Sequence, residues 1–178
     1  MGKNIVVLSG SPRRGASTDK LAAAFIKGAE CAGNKVTLFR TADMEIGGCV
    51  ACGHCLKEPG VCIKKDDMEK IYAALKEADA IAIASPVYFF SVTSQLKPAI
   101  DRLNAILKTG TPIKRAALLL TCGGAAVSAD STISMFRQIS NRVNWEEAGI
   151  IVAPRLHSPE EIDGREELDA AEALGKII

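Results

Sequence analysis

Ile5-Val6-Val7-Leu8-Ser9-Gly10-Ser11-Pro12-Arg13-Arg14-Gly15-Ala16-Ser17-Thr18 decides the fold. An unbroken apolar run of strand-forming residues stops at Ser9-Gly10-Ser11-Pro12, and a helical pattern begins near Ser17. A strand that is apolar on both faces is a parallel strand buried between two layers of helices. The loop that follows suits an anion. Gly10 and Gly15 permit tight backbone geometry, and Ser9, Ser11, Ser17 and Thr18 bring hydroxyls. Arg13 and Arg14 bring charge, and the helix start brings unpaired N–H groups and the positive end of its dipole. Pro12 and Arg13 fill the middle of the glycine spacing, which rules out the dinucleotide fingerprint. No Gly-Lys-Ser/Thr is present to make a P-loop. A phosphate group is the expected ligand, and a capped strand-to-helix turn is the plainer alternative.

Outward from this turn, strands and helices alternate. A helix over Ser17–Ala32 carries Leu21, Ala24, Phe25 and Gly28 on one face and ends at Gly33-Asn34. A second strand covers Lys35–Arg40, and residues 46–63 show neither period. Asp66-Asp67 caps a helix running to Ala78, and a third strand, Ala80–Ser85, stops at Pro86. Then come a helix from about Thr93 to Leu107, a strand over Lys114–Thr121 and a helix over Asp130–Val143. A strand over Ala148–Ala153 and a closing helix over Arg165–Ile178 complete the order. This alternation predicts an α/β, flavodoxin-like doubly wound sheet of five parallel strands in the order 2-1-3-4-5, forming one domain over residues 1–178.

Composition narrows the function classes. The 178 residues are 48% hydrophobic and 24% charged, with a net charge of +1, so neither nucleic acid nor a membrane surface is an expected partner. Aromatic residues, at 4%, are too few for a base-stacking surface. No apolar stretch has transmembrane length and no signal segment precedes the first strand, so a cytoplasmic location is expected. Six cysteines in that compartment read as metal ligands, redox groups or buried thiols rather than disulfides.

In such a sheet, ligands sit beyond the carboxyl ends of the strands. After strand three comes Ser85-Pro86-Val87-Tyr88-Phe89-Phe90, an apolar and aromatic wall with free amides. After strand four comes Thr121-Cys122-Gly123-Gly124, whose glycines let backbone approach a ring. A planar ring carrying one terminal phosphate would satisfy all three loops, and FMN is such a molecule. The aromatics have the alternative reading of core or interface residues.

Ser9-Gly10-Ser11-Pro12-Arg13 with Gly15 and Thr18, then Ser85-Pro86-Val87-Tyr88, then Lys97 and Asp101-Arg102, resemble the NAD(P)H-dependent FMN reductase family. Within it, the chain is most similar to the iron–sulfur flavoproteins, which carry a compact cysteine motif between strand two and the next helix. The resemblance implies FMN with its phosphate in the Ser11–Thr18 loop and its ring against Pro86–Phe89 and Cys122–Gly124. It also implies NAD(P)H as electron donor, and a homodimer or homotetramer that completes the flavin pocket.

The cysteine stretch reads Cys49-Val-Ala-Cys52-Gly-His-Cys55-Leu-Lys-Glu-Pro-Gly-Val-Cys62. Two successive CxxC steps bring three thiols together, and Pro59-Gly60 can turn the chain to add Cys62. Four local thiolates suit a [4Fe–4S] cluster. Zinc held by all four, or thiols without any metal, are the alternatives. His54 reads as a neighbour rather than a ligand, Cys31 as a helix-end thiol and Cys122 as a small buried residue. Asp101-Arg102 reads as an ion pair or subunit contact, and His157 is assigned no role. No catalytic side chain is assigned, because a flavin would carry the chemistry.

The expected function is an FMN-dependent oxidoreductase that takes electrons from NAD(P)H and passes them to a small-molecule or protein acceptor. One alternative is an electron carrier that exchanges electrons with ferredoxin-like partners. Another is a non-catalytic, zinc-binding scaffold, which would leave the phosphate loop and aromatic wall unexplained.

Overall fold

The computed structural model describes residues 2–107 and 109–178. Five strands, β1 (Asn4–Ser9), β2 (Lys35–Arg40), β3 (Ala80–Pro86), β4 (Arg115–Thr121) and β5 (Glu146–Ala153), form one parallel sheet in the order β2-β1-β3-β4-β5. This is the flavodoxin-like order expected from the sequence. Alternation within β1 divides the core in two. Ile5 and Val7 pack with Leu21, Phe25 and Leu119 on one face, and Val6 and Leu8 pack with Ile71, Ile83 and Leu118 on the other. Both faces are therefore covered, as a parallel sheet requires.

The first face is covered by α1 (Ser17–Cys31) and α7 (Glu166–Ile177). These helices meet backbone to backbone. A Cβ on Gly28 would lie 1.9 Å from the Glu172 carbonyl oxygen, and one on Gly175 would lie 2.0 Å from that of Phe25. Gly28 was legible as part of the apolar face of α1; its close approach to a helix more than a hundred residues away was not. The other face carries α3 (Met68–Leu75), α4 (Lys97–Arg102), α5 (Asn104–Leu107) and α6 (Asp130–Val143), while the single turn α2 (His54–Lys57) lies in the cysteine stretch. Three further single turns, Thr41–Asp43, Ala126–Ala129 and Pro159–Ile162, follow strand ends or precede helices. No helix among the described residues is long and apolar enough to cross a membrane.

Two helices differ from the sequence reading for identifiable reasons. The helix expected from Thr93 begins at Lys97, which places Pro98 in the first turn where its missing N–H costs nothing. Thr93 instead ties the first and third loops together, donating its hydroxyl to the Gly10 carbonyl at 2.7 Å and its N–H to Ser85 Oγ at 3.2 Å. The helix then breaks at Leu103 into α4 and α5. Helix α3 stops at Leu75 rather than Ala78, because the backbone beyond it serves the start of β1: Asn4 Nδ2 donates to the Glu77 carbonyl, and Asp79 N–H to the Asn4 carbonyl.

Gly28→Ala forces α1 and α7 apart and is expected to cost about 3 kcal/mol, the upper part of the overpacking range. Urea unfolding monitored by circular dichroism measures it, with Ala24→Ser on the same helix as a mild control.

Candidate functional site

At the end of β1, Ser9 is buried and its Oγ has no hydrogen-bond partner among the described residues. Ser11 Oγ donates back to the Arg13 carbonyl at 2.9 Å, which folds the loop on itself. The first residue of α1 to bond into the helix is Lys20, whose N–H reaches the Ala16 carbonyl at 3.1 Å. The N–H groups of Ser17, Thr18 and Asp19 thus have no intrahelical acceptor, and Ala16 at the N-cap offers no side chain to cap them. The Gly15 N–H, by contrast, is taken by Asp19 Oδ2 at 2.8 Å. The two arginines separate. Arg13 lines the cleft described below, whereas Arg14 points to Asp43, 3.0 Å away. Arg40 supports the loop from beneath, bonding Asp19, Asp43 at 2.9 Å and the Ser11 carbonyl at 3.3 Å.

Thr18 and Thr121 share a buried hydroxyl–hydroxyl bond of 2.6 Å, which joins the start of α1 to the end of β4. The resulting cleft is lined by Arg13, Ser17, Pro86–Tyr88, Thr121–Gly123 and Leu156. All three loops read from the sequence contribute to it. Leu156 was missed; the rule that pointed to the ends of strands one, three and four applies equally to β5. The chain after β5 is tied in by bonds from Arg155 N–H to the Gly124 carbonyl, 2.9 Å, and from Leu156 N–H to the Cys122 carbonyl, 3.0 Å. His157 lies beside Gly123, where an added Cβ would come 3.7 Å from Nδ1. Cys122 is buried, which pushes its thiol up from the ordinary value, and it donates to the carbonyls of Gly124 and Ala125. A protonated, buried thiol fits the small structural role read for it.

The aromatic wall is unusual. Tyr88 and Ser91 exchange backbone hydrogen bonds of 2.9 and 3.1 Å, so Phe89 and Phe90 form a two-residue hairpin turn. Both have positive φ, 48° and 65°, the conformation for which Asn-Gly is preferred. Neither ring is in the core: Phe89 is 97% and Phe90 61% exposed. The turn is braced by Ser131 Oγ, which donates to the Phe90 carbonyl at 2.6 Å. The cleft itself holds only about 50 Å³, well below the roughly 300–1,000 Å³ of small-molecule sites. A flat ring seated there would keep one face open.

The four motif cysteines line a separate cavity of about 350 Å³, together with His54, Lys64, Arg102, Asn104 and Ala105. No residue lines both this cavity and the cleft, among the described residues. Cys55 and Cys62 pack against the core while Cys49 and Cys52 are exposed, and all are free thiols. Among the described residues, no three His, Cys, Asp or Glu side chains converge at metal-binding distance. The donor set still fits an iron–sulfur cluster in kind, since four thiols line one space and its one carboxylate, Asp101, is paired with Lys97. His54 lies 3.6 Å from Glu58 as an i,i+4 neighbour.

Arg102 fastens the base of this loop. Its side chain is 1% exposed, and Nη1 donates to the Gly47 carbonyl at 3.1 Å and to Asp66 at 2.5 Å. Nη2 reaches the Lys64 carbonyl at 3.4 Å, so one guanidinium holds both ends of the loop. Burial opposes its charge, but Asp66 and the nearby Cys62 outweigh burial and hold Arg102 above its ordinary pKa. Burial likewise opposes the Asp66 charge; Arg102 and the N–H groups of Gly47 and Met68 hold its carboxyl below the usual range. Of the expected Asp66-Asp67 cap, Asp66 accepts the Met68 N–H at 3.1 Å, whereas Asp67 at the N-cap makes no side-chain capping bond. Tyr72 adds a 2.8 Å bond to the Arg102 carbonyl, and burial, then Cys62, keeps its phenol well above the ordinary value.

Residues 3–155 match the family described as NADPH-dependent FMN reductase. The chain belongs to this family. It is a family of oxidoreductases, and separately the relatives that this chain is similar to include iron–sulfur flavoproteins. One from Archaeoglobus fulgidus is 38% identical over 55% of this chain and 44% of its own length. Another from Methanosarcina thermophila is 32% identical over 68% of this chain and 63% of its own. The chain therefore matches less than two thirds of the length of each of these relatives. Among solved structures, an NAD(P)H:quinone oxidoreductase from Methanothermobacter marburgensis superposes with a TM-score of 0.76 at 18% identity, over 99% of this chain and 96% of that one. An azoreductase from Bacillus anthracis gives 0.77 at 18% identity, over 99% and 100%. At these identities the likeness concerns the fold.

Two outcomes follow from this geometry. Replacing Phe89-Phe90 by Asn-Gly relieves two positive-φ positions and is expected to stabilise the protein by about 1–2 kcal/mol in urea unfolding. Asp66→Asn leaves Arg102 without its counter-charge and should cost about 3 kcal/mol at neutral pH. Because the folded-state pKa of Asp66 is depressed, its contribution is present above about pH 4 and lost as pH falls through the folded value. The gap between wild type and Asp66→Asn should therefore close in acid.

Proposed function

We propose that residues 1–178 act as one FMN-binding domain that takes electrons from NAD(P)H and passes them to a small-molecule or protein acceptor. The observation that carries this reading is the meeting of three strand-end loops in one cleft, in a chain of the NADPH-dependent FMN reductase family. Ser9, Ser11, Ser17, Thr18 and Arg13, with the free N–H groups that open α1, would hold the phosphate, and Pro12 and Gly15 shape the loop. Arg14 contributes less, being paired with Asp43. Pro86, Val87, Tyr88, Phe89, Thr121, Cys122, Gly123 and Gly124 would face the ring. Bound there, FMN supplies hydride and electron transfer; the protein supplies a seat of amides and apolar surface that orients the ring and limits water on one side.

The shallow cleft and the exposed Phe89-Phe90 turn favour a homodimer or homotetramer in which a second subunit covers the open face. The cysteine cavity would hold a [4Fe–4S] cluster on Cys49, Cys52, Cys55 and Cys62, supplying one-electron transfer. Support for it is the shared lining of one cavity by four thiols and the iron–sulfur flavoprotein relatives. Six free cysteines suit a reducing, cytoplasmic compartment.

Anaerobic reconstitution tests both cofactors. One FMN per chain is expected, with bleaching of its visible band on mixing with NADH or NADPH. Arg13→Ala should weaken FMN binding by about tenfold or more, the loss of one charge-assisted bond, and Arg14→Ala should weaken it less. About four iron and four sulfide per chain are expected, lost in Cys52→Ala and Cys55→Ala while FMN stays. Protein that keeps no FMN after dialysis ends the flavin reading. Zinc at one per chain, or no metal, ends the cluster reading. Flavin bleached by reduced ferredoxin but by neither nucleotide replaces the reductase with an electron carrier.

A further inference from the structure

The break between α4 and α5 brings two residues to the cysteine cavity from the same side. Arg102 ends α4, Asn104 begins α5, and both line the cavity that the four cysteines share. The loop is also pinned to this side by the Gly60 N–H, which donates to the Ala105 carbonyl at 2.8 Å. Asn104 Nδ2 donates to Cys55 Sγ at 3.6 Å, a direct hydrogen bond to a candidate ligand sulfur. Arg102 is buried, and its Nε has no hydrogen-bond partner among the described residues. Its counter-ion Asp66 does not line the cavity, so the pair presents its positive end to the cysteines. Lys64 also lines the cavity, and Asp101, the one carboxylate there, is paired with Lys97 at 2.6 Å.

We propose that Asn104 and Arg102 set the reduction potential of the group held by Cys49, Cys52, Cys55 and Cys62, Asn104 through its hydrogen bond to Cys55 and Arg102 through its buried charge. This rests on the cluster reading above. A cluster on four thiolates is anionic, and one-electron reduction adds a further negative charge in a partly desolvated space. A hydrogen bond to a ligand sulfur and a fixed cation nearby both stabilise the more negative state, and both raise the potential. Neither residue contacts the iron in this assignment; each acts through the ligands and the local field. The helix break serves the site directly, because a continuous helix would carry residues 102 and 104 to different faces.

The test is a potentiometric titration of anaerobically reconstituted protein, followed by electron paramagnetic resonance of the reduced cluster. Asn104 is exposed, so Asn104→Leu is expected to fold, with FMN content and circular dichroism as checks. Its cluster should titrate at a more negative potential than wild type, and Asn104→Gln, which keeps a donor, should recover part of the shift. The double variant Arg102→Gln with Asp66→Asn removes the ion pair without stranding a charge, and it should shift the potential in the same direction. A full complement of iron and sulfide in Asn104→Leu and in the double variant, both at the wild-type potential, overturns the proposal alone. Wild-type protein that assembles no iron and sulfide overturns the cluster reading and this proposal together.

Discussion

The structure depends on the burial of both faces of its central strands. Residues Ile5 to Ser9, Ala80 to Pro86 and Ala116 to Thr121 are all buried, so neither face of these three strands is left for water. A parallel sheet of this kind must carry helices on both sides, and each crossover returns the chain to the same end of the sheet. The carboxyl ends of β1, β3, β4 and β5 are consequently level, with Ser9 beside Ala84, Pro86 beside Thr121, and Thr121 beside Ala153. The loops that leave these ends meet because the core requires it. Thr93 on Gly10 and Thr18 on Thr121 then lock them together.

The cysteine stretch obeys a different constraint. With no helical or strand period, it cannot be held by burying one of its own faces. The guanidinium of Arg102 holds it instead, taking the carbonyls of Gly47 and Lys64 and the carboxylate of Asp66. A buried charge of this sort is a poor contributor to net stability compared with apolar packing. Its value lies in fixing two chain positions that flank the motif, so that four thiols open onto one space.

Much of this was legible in the sequence. Strand β2 and helix α6 have the bounds that periodicity assigns, and the strand order follows from the alternation of elements. The loop after β1 was read from its own glycines, hydroxyls and arginines, and the loops after β3 and β4 from the rule that locates ligands at strand ends. What escaped were long-range contacts with no local signal. Asp101-Arg102 could be read as an ion pair, but the partner, Asp66, lies 36 residues away and is chosen by packing. The separate roles of Arg13 and Arg14 depend on Asp43, in a single turn that sequence period does not reveal. The helix expected from about Thr93 to Leu107 is reshaped by Pro98 in its first turn and by the break at Leu103.

Backbone strain gathers around the cleft and the cysteine loop. Five non-glycine residues have positive φ: Ala51, Phe89, Phe90, Asn144 and Arg155, among the described residues. Asn144 follows α6 as a left-handed helix cap, a place where asparagine is tolerated. The remaining four lie in the cysteine loop, the aromatic turn beside the cleft and the segment after β5 that closes it. None has a local reason to be left-handed, and Phe89-Phe90 occupies two such positions in succession while exposing both rings. Strain of about 1–3 kcal/mol per residue persists only where the surroundings over-determine it. Here the surroundings are the two sites themselves: paired backbone bonds at Tyr88 and Ser91, the Arg155 and Leu156 bonds to the Cys122 loop, and the clamped base of the cysteine motif. The conformations that a sequence would least choose are those that present the aromatic face and the thiols.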